Sequence, residues 1–485
     1  MKKQVSAAVL LLTLLLSSTM IACGNDTSGD AKATEGSANE TETVTETADP
    51  YAAQKAVFDA LPALDLGGAE FVIAAQAGVG NSETEIYIEE ADGDVIHDAV
   101  YKRNLAINER FHCEIRVNGC AVTSTVKQAV QAGDASYPLA FPNISEAAVL
   151  GQENYLMNFH DFDVIDLSGK WWDQGTANMD IGGRVFFMSG DINILDNDVT
   201  YIMLFNKQLI SDNDMEEPYQ LVRDGTWTID AFAEMCKNIS MDVNGDALMD
   251  ENDRYGYVTT QQGPNTFFYG SDLKYVEFDS NHVPYLQVDS TKVTQVLEKV
   301  VNVTGQEHQV SYLPKDPPVG KTIFMEDRAL FYGEVLSYII NLRDMNSEFG
   351  VLPIPKFDEQ QDGYITYCEN NSSTATIPNA GDPASAATVL EAMAIQSHMT
   401  VTPAYYEVAL ERKYSRDEES IEMIDIALAN RIYDIGRVYT SLGISGVFQD
   451  LAAKGSTDFA SAFAKREKTA LKKLATIIEA FDAME

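Results

Sequence analysis

The chain has 485 residues, of which 74 are acidic and 34 basic, for a formal net charge of -40. So acidic a surface excludes nucleic acid as a partner and any charge-driven contact with a membrane, because both carry negative charge. The five cysteines and six histidines fall in no metal-ligand spacing and no His-Glu-x-x-His occurs, which speaks against a zinc enzyme.

Lys2 and Lys3 precede an apolar run over residues 7–16, and the small residue Ala22 leads to Cys23. A charged start, a short apolar core and small residues before a cut make an export signal over residues 1–22. The run is too short to cross a bilayer. A cysteine directly after such a cut resembles the lipobox of bacterial lipoproteins. That resemblance implies a lipidated Cys23, which anchors the chain to the cell membrane facing outside the cytoplasm. Residues 24–50 are Thr, Glu, Ser, Ala, Gly, Asn and Asp with almost nothing apolar, so burial cannot offset their conformational entropy. We read 23–64 as the anchor and a disordered acidic tether.

In the folded body the apolar run 71–75 predicts a buried strand. Gly78 and Gly80 after it lack the full dinucleotide spacing and read as turn glycines. A helix is expected over 98–111, capped by Asp98, with Tyr101 and Leu105 stacked and Val100, Ile107 and Phe111 widening the apolar face. A strand at 114–117 and a helix at 124–132 follow, an alternation that indicates layered α/β construction around a largely parallel sheet. Cys113 and Cys120 flank that second strand; separately buried thiols are favoured over a disulfide. Strands are expected at 185–188, 199–206 and 349–355, the last stopped by proline. Helices are expected near 384–398, 403–413, 420–434 and 456–482. The last carries Phe459, Phe463, Leu471, Leu474, Ile478 and Phe481 at helical intervals.

Residues 242–253 place oxygens at loop positions 1, 3, 5, 9 and 12 through Asp242, Asn244, Asp246, Asp250 and Asp253, with the Leu248 carbonyl at 7. That is calcium-loop spacing, so a structural Ca2+ is expected there; Met249 supplies the apolar anchor. Ala247 stands where such loops use glycine, and Asp253 where they use glutamate. Trp171, Trp172 and Asp173 join two indole faces, which stack on sugars and cations, to a carboxylate. Asp196, Asp198, Tyr332 and Glu334 are further candidates to reach a cleft. Trp227 reads as a core residue ahead of a helix capped by Thr228. No Gly-x-Ser-x-Gly elbow occurs and no histidine is placed as a catalytic base. Among 74 acids no glycosidase pair can be singled out.

Taken together, residues 98–111, 167–173 (Leu-Ser-Gly-Lys-Trp-Trp-Asp), 201–207 with 225–228 (Gly-Thr-Trp-Thr), and 349–356 (Phe-Gly-Val-Leu-Pro-Ile-Pro-Lys) resemble the extracellular solute-binding lipoproteins of bacterial ABC importers, the group that includes maltose-binding protein. The resemblance implies an α/β, two-lobed periplasmic-binding-protein-like fold with a hinge and interlobe cleft, followed by a helical C-terminal segment. It implies lobe one from 65–186 and 322–375, and lobe two from 187–321 and 376–485. It further implies a monomer with no catalytic step, which binds a carbohydrate (an oligosaccharide or glycoside) and docks on a membrane permease. Trp171, Trp172 and Tyr332 would be its stacking aromatics. A surface-anchored glycan-acting enzyme, and a binder of peptide or another polar solute, stay open as alternatives.

Overall fold

The computed structural model describes residues 49–260, 262–304, 311–312, 317–406 and 418–484. The leader, Cys23 and the tether as far as residue 48 lie outside this set. From residue 52 the expected tether is instead structured. Helix α1 (Ala52–Ala60) is followed by Leu61, Leu64 and Leu66, which join Phe58 against the first lobe's core. The guanidinium of Arg110 lies 4.8 Å over the Phe58 ring. The apolar spacing of these four residues, not the acidic composition before them, decides where the folded body begins.

The first lobe is built on a three-stranded parallel sheet. Strand β1 (Ala69–Gln76) lies between β2 (Cys113–Cys120) and β3 (Leu139–Phe141). Ile73, Ala74 and Ala75 are all fully buried because helices cover both faces. Helix α2 (Val95–Phe111) links β1 to β2, and α3 (Val122–Ala132) links β2 to β3. The α2 cap is Asp94, whose carboxylate accepts the N–H groups of Ile96 and His97. Asp98, expected as the cap, lies in the first turn and accepts from Asp92 and Gly93 instead. The helix buries Val100, Arg103, Ile107 and Phe111, while Leu105 is 49% exposed. After β3 comes α4 (Ile144–Gln152), capped by Asn143. Cys113 and Cys120 sit at opposite ends of β2 as free thiols.

The second lobe carries a mixed five-stranded sheet. It orders β10 (Phe349–Leu352), β4 (Tyr201–Asn206), β9 (Ala329–Val335), β5 (Tyr255–Thr259) and β8 (Ser311–Tyr312), while β6 (Val276–Phe278) and β7 (Pro284–Leu286) pair antiparallel in a sheet of their own. β4 runs antiparallel to both neighbours, with Leu204 opposite Tyr332 and Val351. This corrects two lobe assignments. Residues 322–375 bring β9 and β10 to the second lobe rather than the first. The helix Pro383–Tyr406, assigned to the second lobe, packs on α2 and α1 in the first. Local hydropathy identifies these segments as buried, but their partners are set by register and packing over long separations. That helix is continuous through Pro403 where two helices were expected.

Trp227 is fully buried against Phe232 and Phe331 and donates to the Pro353 carbonyl at 2.9 Å, while Thr228 caps the following helix at Ala231. The C-terminal helix Phe459–Asp482 buries Phe459, Phe463, Leu474 and Phe481 as expected and leaves Leu471 48% exposed. No helix among the described residues is long and apolar enough to cross a membrane.

Two segments cross between the lobes side by side. Met188 bridges Ala375 and Thr200 bridges Cys368, both antiparallel. The first crossing holds the single-turn α6 (Leu195–Asp198); α5 (Gln174–Ala177) lies just before it in the chain. Trp227→Ala should cost about 3–5 kcal/mol of unfolding free energy, the range for truncating a buried aromatic. A urea titration with an unchanged slope and a lowered midpoint would show it.

Candidate functional site

In open α/β sheets, ligands bind beyond the carboxyl ends of the strands, where the winding reverses. Here that point is the end of β1, which has β2 on one side and β3 on the other. A cavity of about 480 Å3 opens there. The first lobe contributes the loop after β1 (Val79, Gly80, Asn81, Thr84) and the start of α2. The second contributes Val335, Ser337, Tyr338 and Ile340 at the end of β9, and the crossing segments contribute α6 and Asn371. A larger groove of about 740 Å3, bordered by acids such as Glu216, Asp224 and Asp230, belongs to the second lobe alone.

The loop after β1 is held by features with physical causes. Gly80 has φ +47, and a Cβ there would stand 2.8 Å from the Leu195 side chain, so glycine lets the loop approach α6. Asn81 then reaches Asp198, donating its amide to Oδ2 at 2.6 Å, while the Tyr405 hydroxyl donates to Oδ1 at 3.1 Å. Four residues on, Glu85 is fully buried and accepts the N–H groups of Ile194 (2.6 Å) and Leu195 (2.9 Å) on one oxygen. Its other oxygen accepts from the Ser373 hydroxyl. Ser373 also accepts from Asn193 at 3.0 Å. One carboxylate thus ties the first lobe to both crossing segments. The next carbonyl, of Ile86, is held by buried Arg103 and Asn104.

Burial sets the electrostatics. It pushes the Glu85 carboxyl up to about 7, and the donors from Ser373, Leu195 and Ile194 pull it back only in part. Burial likewise pushes Asp198 up to about 6 against the hydrogen bonds of Tyr405 and Asn81.

The seven sequence-nominated binding residues fall in four settings, and only one of them lines the interlobe cavity. Asp198 borders the interlobe cavity. Asp173 and Asp196 meet across α6 around Arg431: Nη2 is 3.0 Å from Asp173, and Nη1 is 3.3 Å from Asp196. The Tyr433 hydroxyl adds a bond to Asp173 at 3.2 Å. Trp171 and Trp172 are 5% and 3% exposed, and each donates its indole N–H to one oxygen of Glu391, at 3.0 and 3.1 Å. Both tryptophans and Asp173 border a separate cavity of about 320 Å3, not the interlobe one. Tyr332 is buried against Phe324 with its hydroxyl on Glu334 at 3.3 Å. Burial pushes Glu334 up to about 7. Nearby, Glu369 pairs with Arg437, whose guanidinium lies 4.5 Å over Tyr367. The Glu369 Oε1 and Arg437 Nε atoms have no hydrogen-bond partner among the described residues.

Arg431, Glu391 and Glu85 escaped the sequence reading. No local signal separates Glu85 or Glu391 from the other acids; their partners are more than 100 residues away.

No protein-family model matches the chain, and neither does any curated protein. Solved structures do. The maltose/maltodextrin-binding domain MalE from Bdellovibrio bacteriovorus, bound to maltotriose, aligns over 84% of this chain and 100% of its own, at 12% identity and TM-score 0.52. UspC of M. tuberculosis aligns over 83% and 99%, at 13% identity and TM-score 0.55. The ABC substrate-binding protein Lmo0181 from Listeria monocytogenes, in complex with cycloalternan, aligns over 84% and 99%, at 11% identity and TM-score 0.53. This is a periplasmic-binding-protein fold. It resembles the MalE-like solute-binding proteins of ABC transporters at low sequence identity, and the α/β two-lobed architecture that the resemblance implies is the one found.

In the 242–253 loop the carboxylates accept backbone N–H groups of the loop itself. Asp242 accepts the N–H groups of Gly245 and Ala247, Asp246 accepts from Leu248, and Asp253 accepts from Val243 and Asp250. Ala247 adopts φ +65, the left-handed turn that glycine holds more cheaply. Met249 packs against the core. Among the described residues no group of three or more His, Cys, Asp or Glu side chains converges so as to hold a metal ion.

Two outcomes follow from the buried carboxylates. Glu391→Ala strands two indole N–H groups and that of Asp166, and should cost about 2–4 kcal/mol, read by urea unfolding with a red-shifted tryptophan emission. Second, between about 4.5, where an unfolded glutamate titrates, and about 7, the folded chain holds the Glu85 proton that the unfolded chain has lost. Stability from this group therefore falls as pH rises through that window. Melting temperature should be higher at pH 5.5 than at pH 8, and Glu85→Gln should flatten the difference.

Proposed function

We propose that this protein is the extracellular substrate-binding component of an ABC importer. It captures a carbohydrate, an oligosaccharide or glycoside, in the interlobe cleft and presents it to a membrane permease. The observation that carries this reading is the cavity itself, placed at the carboxyl ends of β1 and β9 and walled by both lobes and both crossing segments. Asn81, Thr84, Ser337 and Asn371 offer amide and hydroxyl groups suited to sugar hydroxyls, and the Tyr338 ring offers a face for stacking. A solute that touches both walls favours the approach of the lobes, and only its differential affinity for the closed arrangement shifts that population. The permease then reads the closed form. No covalent step belongs to this reading, and the protein acts as a monomer.

Lipidation of Cys23 keeps the binder on the outer face of the cell membrane. The anchor rests on the leader pattern alone, and the similarity to extracytoplasmic binding proteins supports the location outside the cytoplasm.

Calorimetric titration with a panel of oligosaccharides and glycosides tests the reading. Saturable binding of a saccharide, weakened at least tenfold by Tyr338→Ala, is the expected result, with no release of reducing sugar over hours. Turnover of any glycan would move the protein to the enzyme class. Saturable binding of peptides with no response to saccharides would assign the cleft to peptide.

A further inference from the structure

We infer that the solute is fixed at a polar seam beside the interlobe cavity, where the Glu369–Arg437 pair of the second lobe and the first turn of α4 in the first take hold of two neighbouring hydroxyl groups on a neutral ring. This rests on the interlobe cleft being the solute site and adds which residues hold the solute there.

The crossing segment 369–373 carries the seam. Asn371 borders the cavity, and its neighbours reach into both lobes. Glu369 pairs with Nη2 of Arg437, and the Asn370 amide donates to the Arg437 carbonyl at 2.9 Å. The Ser372 carbonyl accepts the N–H of Ile144, the first residue of α4, at 3.1 Å. The Ser373 hydroxyl accepts from Asn193 on the other crossing. Arg437 lies in the short helix Ile435–Val438, whose cap Asp434 also accepts the N–H groups of Tyr275 (2.9 Å) and Val276 (3.2 Å) in the second lobe. That helix packs directly on α4, so the two lobes touch here. Around this contact, among the described residues, Glu369 Oε1, Arg437 Nε, Asn193 Oδ1, Ser145 Oγ and Glu146 Oε2 are closed off from solvent and have no hydrogen-bond partner. A buried polar atom left unmet is costly. Several of them at one lobe contact point to a partner that meets them when the lobes part and close again.

The chemistry of the unmet atoms names that partner. Arg437 and Glu369 are joined through one arm, Nη2 to Oε2, which leaves the same ion pair with a donor, Nε–H, and an acceptor, Oε1. Asn193 and Glu146 add acceptors, and Ser145 adds a hydroxyl that can act either way. A hydroxyl both donates and accepts, so two adjoining hydroxyls meet Nε–H and Oε1 together. A carboxylate only accepts and an ammonium only donates, so each leaves part of the set unmet. The Tyr367 ring lies 4.5 Å from the Arg437 guanidinium and steadies the fork. A ring that reaches from Ser145 on one lobe to Arg437 on the other is held by both walls only when the lobes are closed, which gives it the differential affinity that closure requires.

Titration calorimetry of the full-length protein with maltose, cellobiose, lactose and a digalacturonate tests this, followed by the monodeoxy derivatives of the neutral disaccharide that binds tightest. Arg437→Lys keeps the positive charge and loses the Nε–H group, and should weaken binding of that disaccharide at least tenfold. Ser145→Ala, at a helical position that alanine favours, should weaken it severalfold and serves if the arginine variant fails to fold. Loss of either of two neighbouring hydroxyls should cost the unaltered protein at least tenfold. The same loss should cost Arg437→Lys less than threefold, a coupling that a merely structural arginine would not produce. Full affinity in both variants overturns the inference, as do equal deoxy penalties in variant and unaltered protein, or tighter binding of the digalacturonate than of any neutral disaccharide. The carbohydrate reading survives each of those results, because a saccharide still binds. Binding of none of the four overturns the inference as well, and the wider saccharide panel then decides the carbohydrate reading by itself.

Discussion

A buried carboxylate between two chain crossings is the contact on which the rest of the site depends. Glu85 comes from the first lobe, yet its oxygens serve the N–H groups that open α6 on one crossing and the Ser373 hydroxyl on the other. Burying an acid is costly, and the cost is borne only where several donors are fixed in place. Removing it would leave two backbone N–H groups without acceptors inside the protein. That asymmetry makes the contact a constraint on geometry: the loop after β1, α6 and the 373 region must keep their mutual positions. Asn81 and Asp198 face the cavity because this frame holds them there.

The same frame divides the molecule's acids into two environments. On one side of α6, Arg431 neutralises Asp173 and Asp196, and Tyr433 completes the set. On the other, Asp198 and Glu85 are held by uncharged donors, the Asn81 amide, the Tyr405 and Ser373 hydroxyls and backbone N–H groups. Hydrogen bonding removes the penalty of unmet lone pairs without cancelling the field.

The tryptophan pair shows how a correct local signal can point to the wrong partner. Two indoles beside an acid do need a reason to be together, as their chemistry suggests. The reason found is Glu391, whose two oxygens match the two N–H groups and fasten the 166–172 loop to the helix Pro383–Tyr406. The nearest acid in sequence, Asp173, turns instead to Arg431. Adjacency in the chain told which groups need partners and not which partners they take.

Local rules were enough for much of the fold. The burial of β1, the turn at Gly78 and Gly80, the Thr228 cap and the stripe of the C-terminal helix each follow from a few neighbouring residues, because periodicity, φ preference and capping act within one or two turns. The family resemblance added the two-lobed plan. Tertiary structure alone decided which sheet receives 329–335 and 349–352, which lobe holds the helix Pro383–Tyr406, and which acids meet Arg431, Glu391's indoles or the hinge. Those choices depend on strand register and on pairs such as Glu85 and Ser373, 288 residues apart. No window of sequence contains both halves of such a pair, so its energy enters only when the chain has folded.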